Sequence, residues 1–228
     1  MIAYIMAMPT KTSAGTVEKF QDDNGNEIQK FEIKINNERL IDRTVRLLKD
    51  RLSAKDKIVI GGYEEIEGCE NYITSEKSFE GHIMDVVKKF GKNRTKIVFF
   101  YGDCYYTEAY VNFVLNYKAD KWGWVCRMDA NPYTGKIWGE GYGMIVAEGK
   151  EFVAKTAEWL QLVENHKVDN SNKWNWNRFL NGLNDIYTHH IGKPSPHDII
   201  WDKDETDDFD YARDVVMFKY RMSKNFGR

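Results

Sequence analysis

Three groups of side chains in this chain are of a type and placement that could handle phosphate or a metal ion. Asp103 follows Gly102 directly after the apolar run Ile97-Val98-Phe99-Phe100-Tyr101. A run that is apolar on both faces reads as a central strand, and ligands of open α/β sheets gather outside the carboxyl ends of strands. An aspartate released there by a glycine is well placed to hold a divalent cation. Aspartate is also favoured in turns, so capping the loop before Thr107 is the competing role. The second group is Asp202-Lys203-Asp204-Glu205-Thr206-Asp207-Asp208-Phe209. Asp207 and Asp208 are expected in the first turn of a helix, where the macrodipole alone favours each by roughly 0.3 to 1 kcal/mol. The third is Lys30, which by itself reads as a solvated lysine at a strand edge.

The elements that would carry these groups alternate between strand and helix over the first half, as a parallel sheet with crossover helices requires. Ile2 to Met8 reads as the first strand, and Phe31, Ile33 and Ile35 alternate like a half-buried strand. Asn36-Asn37 is turn chemistry that tolerates left-handed backbone. Ile41, Val45, Leu48 and Leu52 predict a helix from about Leu40 to Leu52; Lys57 to Ile60 follows as a strand, then a helix around Ile83, Val87 and Phe90. Thr107 is the expected N-cap of a helix with Val111, Val114 and Leu115. Trp122 to Met128 and Lys136 to Val146 read as strands of a mixed or antiparallel part. Glycines 139, 141 and 143 lie inside the second of these, not at a strand-to-helix turn, so bulges or close ligand approach fit them better than a dinucleotide loop. Two helical stripes follow, one from Phe152 to Val163 and one from Phe179 to Ile186, then a short strand His197 to Trp201 and a helix beginning near Asp207.

At 228 residues, 42% hydrophobic and 14% aromatic, the chain is long enough for a substantial core and is expected to form one domain over 1–228. Its 33 basic and 35 acidic side chains give a net charge of -2, without the global basic excess that nucleic-acid binders often carry. No stretch is long enough to span a bilayer. Cys69, Cys104 and Cys126 are odd in number and lack CxxC spacing, which fits ordinary thiols in a reducing cytoplasm.

The words from Lys30 to Val45, KFEIKINNERLIDRTV, resemble the lysine-containing segment of the nucleotidyltransferases that make sugar nucleotides and CDP-alcohols, usually worded close to "pKxLlpinGepLidRtv". Gly102-Asp103 resembles the "GD" metal site of that family. Asp202 to Ala212 is similar to its late "EiDtpeDle.A" segment, by which Asp204 aligns with the metal ligand and Asp202 is a second candidate. The resemblance implies a Rossmann-like three-layer α/β sandwich with a mixed central sheet, of nucleotidyltransferase or glycosyltransferase-A type. It also implies Mg2+ or Mn2+ on Asp103 and Asp204, Lys30 and Asp103 in the reaction, and nucleotide contacts at Ala7, Met8, Lys11, Lys30 and Gly102. The reaction so implied is transfer from a nucleoside triphosphate to a phosphorylated sugar or alcohol, with pyrophosphate released.

The N-terminal loop departs from the family. Where "LAAGxGxR" is usual, this chain reads Met6-Ala7-Met8-Pro9-Thr10-Lys11-Thr12-Ser13-Ala14-Gly15. Pro9 removes a backbone donor and the early glycines are gone, although Lys11 and the hydroxyls remain phosphate contacts. A nucleotide-diphosphate sugar, needing fewer donors, is therefore the alternative ligand, with glycosyl transfer the alternative reaction. The interleaved Lys173-Trp174-Asn175-Trp176-Asn177-Arg178 would suit an acceptor, a nucleic acid included, although core packing explains tryptophans equally well. His189 and His190 lack a helix-spaced or carboxylate-paired context and read as surface residues.

Overall fold

A computed structural model describes residues 1–7, 19–62, 65–76, 79–91, 95–118, 122–127, 131, 141–147, 149–150, 152–155, 158, 191–193, 197–202, 204, 206–209 and 211–224. The chain opens with β1 (Ile2–Met6), then a small hairpin of β2 (Phe20–Gln21) and β3 (Glu27–Ile28). A 3-10 turn (Lys30–Glu32) leads into β4 (Lys34–Ile35), β5 (Glu38–Arg39) and helix α1 (Leu40–Lys49). Next come β6 (Lys57–Gly61), β7 (Glu70–Asn71), α2 (Phe79–Phe90), β8 (Ile97–Tyr101), β9 (Cys104–Tyr105) and α3 (Glu108–Asn116). The later part holds β10 (Trp122–Arg127), β11 (Gly141–Val146), β12 (His197–Asp202), β13 (Asp207–Asp208) and a final helix, α4 (Ala212–Ser223).

Seven strands form one sheet in the order β12-β10-β11-β8-β1-β6-β7. β1 pairs in parallel with β6 and β8, β6 with β7, and β10 with β12, whereas β11 runs antiparallel to both its neighbours. This is the mixed central sheet expected from the sequence. β1 and β8 are buried on both faces because alternate residues feed two cores. Ala3, Ile5, Val98 and Phe100 pack with Ile41, Val45 and Leu48 of α1 and Val111 and Val114 of α3. Ile2, Tyr4, Ile97 and Phe99 pack on the other side with Ile83, Val86 and Val87 of α2. A third cluster, Phe20, Ile33, Ile35, Leu40, Phe209 and Phe218, ties α4 to the segment that carries Lys30.

Three expectations need correcting. Phe31 to Ile35 is not one strand: Glu32 folds back so that its carboxylate accepts from the Gln29 amide (2.7 Å), winding Lys30–Glu32 into a 3-10 turn. Only Lys34–Ile35 is extended, and it pairs with β5 through Asn36 and Asn37 at φ 52° and 65°, the two left-handed residues of a tight hairpin. The helix does not begin near Asp207. Asp207–Asp208 form β13 against β9, and α4 starts at Ala212, where the Asp214 carboxylate accepts from the Tyr211 amide (3.1 Å). Burial of Asp207 and Phe209 in the core outweighs the macrodipole preference of those acids. The first strand ends at Met6, with Ala7 just beyond it.

At glycines 141 and 143 the bulge expectation holds, but the close approach is made by the protein itself and not by a ligand. A Cβ on Gly141 would overlap the Trp124 ring at 1.9 Å, and one on Gly143 would lie 2.6 Å from the Phe99 carbonyl. The β10–β11 register shifts between Val125 and Cys126, opposite this glycine pair. Gly139, the Lys173 to Arg178 stretch, His189, His190 and nearly all of the two helical stripes lie outside the described residues; Phe152 is buried.

Candidate active site at the carboxyl ends of β1 and β8

From β1 the chain moves outward through β6 to β7, then returns to place β8 on the opposite side of β1. The order reverses between β1 and β8, and a crevice at such a switch point is where α/β sheets take up ligands. Ala7 and Gly102-Asp103 follow these two strands. The two loops are drawn together by glycine: Gly102 N–H donates to the Met6 carbonyl (3.0 Å), and a Cβ on Gly102 would sit 2.7 Å from that oxygen. On the other flank Ala7 N–H donates to the Gly61 carbonyl (3.0 Å), and a Cβ on Gly62 would come within 2.4 Å of the Ala7 carbonyl.

Lys30 reaches the same crevice. Its Nζ lies 3.5 Å from Asp103 Oδ2, with 12% and 17% of the two side chains exposed. The turn that carries it is fixed at both ends, by the Gln29–Glu32 capping box and by Phe31 buried in the main core. The Phe20 ring faces the same ammonium, 5.9 Å from its centroid. Lys30 is thus not a solvated edge lysine. The structure brings Lys30, Asp103, Gly102 and Ala7 to one place; Met8 and Lys11 lie outside the described residues.

Asp204 has different surroundings. Its Oδ2 accepts from Thr107 Oγ1 (2.6 Å), and its Oδ1 accepts from Thr206 N (2.8 Å) and Thr206 Oγ1 (2.6 Å). Thr107 Oγ1 in turn accepts from Tyr110 N (3.0 Å), the N-cap that the sequence predicts for α3. Asp204 therefore anchors the chain to the start of α3, using three of about four lone-pair sites.

Two arginines escaped the sequence reading. Arg43 Nε donates to the Tyr106 carbonyl (3.0 Å), and its guanidinium covers the Tyr105 ring at 4.3 Å, which locks the loop after Asp103 onto α1. Arg127, last in β10, pairs with Asp207 at 3.0 Å with 2% and 0% of the side chains exposed. A charge ending the buried run Trp122-Gly123-Trp124-Val125-Cys126 demands a partner, but nothing in the sequence says that it lies 80 residues on. Cys104, beside Asp103, is no nucleophile: burial, then the Asp103 charge, push its thiol well above the usual range. All three cysteines are free.

The donor set among the described residues fits a divalent cation as an ion shared with a ligand. Among the described residues no three His, Cys, Asp or Glu side chains gather to hold a metal. Magnesium commonly takes one or two carboxylates and completes its shell with water and phosphate oxygens, and Asp103 offers one partly exposed carboxylate at the crevice. A cavity of about 540 Å³ elsewhere, between the β2–β3 hairpin and α4, is lined by Phe20, Ile33 and Val215 among others, but by none of the predicted site residues. Among the described residues no helix is long and apolar enough to cross a membrane.

No family model matches the chain, and no curated protein matches it. Solved structures do. The chain is similar to 4-diphosphocytidyl-2C-methyl-D-erythritol synthase from Anaerococcus prevotii (TM-score 0.60, 9% identity, 97% of each chain covered). It is also similar to HddC from Yersinia pseudotuberculosis in complex with GMP-PN (TM-score 0.52, 13% identity, 97% of this chain and 99% of that one). A third is CTP:phosphocholine cytidylyltransferase from Streptococcus pneumoniae (TM-score 0.50, 12% identity, 97% and 99%). The fold is that of the nucleotidyltransferases, of glycosyltransferase-A type, as the Lys30 to Val45 wording implies.

Proposed function

We propose that this chain is a nucleotidyltransferase that joins a nucleoside triphosphate to a phosphorylated sugar or alcohol, releases pyrophosphate and depends on Mg2+ or Mn2+. The observation that carries the reading is the Lys30–Asp103 pair, 3.5 Å apart at the sheet's switch point, on a fold shared with nucleotidyltransferases. An oxygen of the acceptor phosphate attacks the α-phosphorus; the bond to the bridging oxygen breaks, and pyrophosphate leaves with the electron pair. Such transfer is governed by positioning and charge neutralisation, so no side-chain nucleophile is required. The Lys30 ammonium, which balances Asp103 in the resting chain, faces the phosphate oxygens as charge develops on them. Asp103 would hold the cation, which when bound neutralises phosphate oxygens and orients them. Asp204, the second expected ligand, would offer the cation the one acceptor site that its three threonine contacts leave. Gly102 lets the loops after β1 and β8 close on each other, which sets Ala7 beside Asp103.

Glycosyl transfer from a nucleotide-diphosphate sugar is the second reading, favoured by the loss of the early glycines between Met8 and Gly15. One assay separates the two. With Mg2+, each nucleoside triphosphate and mixed phosphosugars or phosphocholine, pyrophosphate should appear only when triphosphate and acceptor are both present. Turnover of sugar nucleotides without pyrophosphate would replace the first reading by the second.

A further inference from the structure

We propose that the buried pair Arg127–Asp207 is a positioning device for Asp103, set behind the crevice and touching no substrate. The cation-handling role of Asp103 comes from the proposed function; the positioning itself is read from geometry. Asp103 lies on the short connection between β8 and β9, and β9 pairs with β13 at two residue pairs, Cys104 with Asp208 and Tyr105 with Asp207. So short a ladder is not stable by itself. Yet it carries the contact that fixes the Asp103 backbone, from Phe209 N to the Asp103 carbonyl (3.2 Å).

Asp207 ties the β13 side of the ladder to the main sheet, as Arg43 ties the β9 side to α1. Its Oδ1 lies 3.0 Å from Arg127 Nη1, accepts from Asp208 N at 3.1 Å and is 3.4 Å from the Tyr142 hydroxyl. The guanidinium stands over the Tyr142 ring at 5.2 Å. One carboxylate thus joins β10, β11 and β13, and through β13 sets where Asp103 points. A buried ion pair is weak evidence for stability, since apolar residues of similar volume often do as well or better. What apolar packing lacks is direction: it does not fix the height of β13 against β9. A pair fully withdrawn from water, one backbone step from the segment that hydrogen-bonds Asp103, is explained by that geometric need.

The test uses the full chain with Asp207→Asn, Arg127→Met and the apolar double variant Arg127→Met/Asp207→Leu, which keeps the question answerable if a lone buried charge prevents folding. Two readouts are independent of turnover: exchange of the Phe209 amide proton, and Mn2+ affinity measured by electron paramagnetic resonance with a non-hydrolysable triphosphate present. The folded variants should exchange Phe209 faster while the β1 and β8 amides stay protected, and should bind Mn2+ about 10- to 100-fold more weakly, the usual effect of removing a partner behind a metal ligand. In the pyrophosphate assay kcat should fall by a similar factor at saturating nucleotide while the nucleotide KM stays near its wild-type value. Unchanged Phe209 exchange in the folded double variant overturns the proposal, as does faster exchange with wild-type Mn2+ affinity. Failure of the wild type to bind Mn2+ at all overturns it too. Wild-type Mn2+ binding without pyrophosphate release would instead refute the transfer reading alone, leaving the exchange and Mn2+ results to decide the role of the pair.

Discussion

Asp103 and Asp204 are two aspartates that the sequence puts forward for one role, and the fold gives them opposite surroundings. Asp103 stands at the end of a central strand, faces one ammonium at 3.5 Å and keeps part of its carboxylate open to the crevice. Asp204 is enclosed by two hydroxyls and a backbone amide, all within 2.8 Å. A carboxylate whose acceptor sites are taken by the protein is a structural brace, and one that is left partly open next to a cation is available for ligand chemistry. The difference lies in what the neighbouring loops supply: glycine and lysine around the first, threonines around the second.

The largest effect that would break or uphold this contrast is expected from Asp103→Asn. The substitution keeps shape and removes charge, so melting temperature should stay near wild type. If Asp103 holds the cation, several kcal/mol of transition-state stabilisation go with it, about a thousandfold in kcat at 1.36 kcal/mol per decade. Pyrophosphate release by a folded variant at the wild-type rate would remove Asp103 from the site.

Lys30→Met comes next. Methionine preserves most of the apolar stem and deletes the ammonium; loss of one group that stabilises developing charge costs about 100- to 1,000-fold in kcat. Only 12% and 17% of the two side chains are exposed, so the carboxylate left behind should cost about 1 to 3 kcal/mol in chemical denaturation. A large stability loss with kcat unchanged would make Lys30 a brace like those around Asp204, and the two regions would cease to differ.

How far the contrast was legible in the sequence depends on the range of the interactions. The Asn36-Asn37 turn and α1 were readable because hairpin and helix are set by neighbours within a few residues, whereas the 3-10 turn at Lys30 depends on the Glu32 fold-back and was not. The central place of β8, with Gly102-Asp103 at its end, was readable because a strand buried on both faces lies inside a sheet. The 202 to 212 stretch was misread because local propensity favours acids at a helix start, whereas Arg127 from another strand draws Asp207 into the core and delays the helix to Ala212. The threonine enclosure of Asp204 was hidden for the same reason, since Thr107 is 97 residues away.

A histidine on the opposite face of the sheet sharpens the contrast from outside. His82 on α2 is buried, its Nε2 bonded to the Tyr4 hydroxyl at 2.5 Å and its Nδ1 without a hydrogen-bond partner among the described residues. Burial lowers its pKa to about 4, opposed by the nearby Asp85 charge. The folded state therefore resists a proton that the unfolded chain takes up near 6.5. Stability from this group is full above that value and is lost as pH falls from 6.5 to about 4, by up to about 3 kcal/mol. Urea denaturation across that window should show the decline in wild type and in Asp103→Asn alike, and a flatter profile in His82→Gln. A decline that vanished in Asp103→Asn instead would place the titrating group in the crevice.

The smallest effect decides the other half of the contrast. Thr107→Ala removes the N-cap of α3 and one donor to Asp204, and caps of this kind contribute about 0.5 to 2 kcal/mol. Asp204→Ala leaves Thr107 capping but strips the acceptor from Thr206, and should cost about 1 to 3 kcal/mol because the orphaned amide and hydroxyl are partly buried. If Asp204 is a brace, both variants lower stability by comparable amounts, and kcat measured well below the melting transition stays within about tenfold of wild type. A metal ligand behaves otherwise: Asp204→Ala would then lose activity as steeply as Asp103→Asn while Thr107→Ala kept it, because only the carboxylate and not its cap would be chemically required. Denaturation midpoints and kcat on the same two proteins therefore distinguish a shared cation from a helix brace.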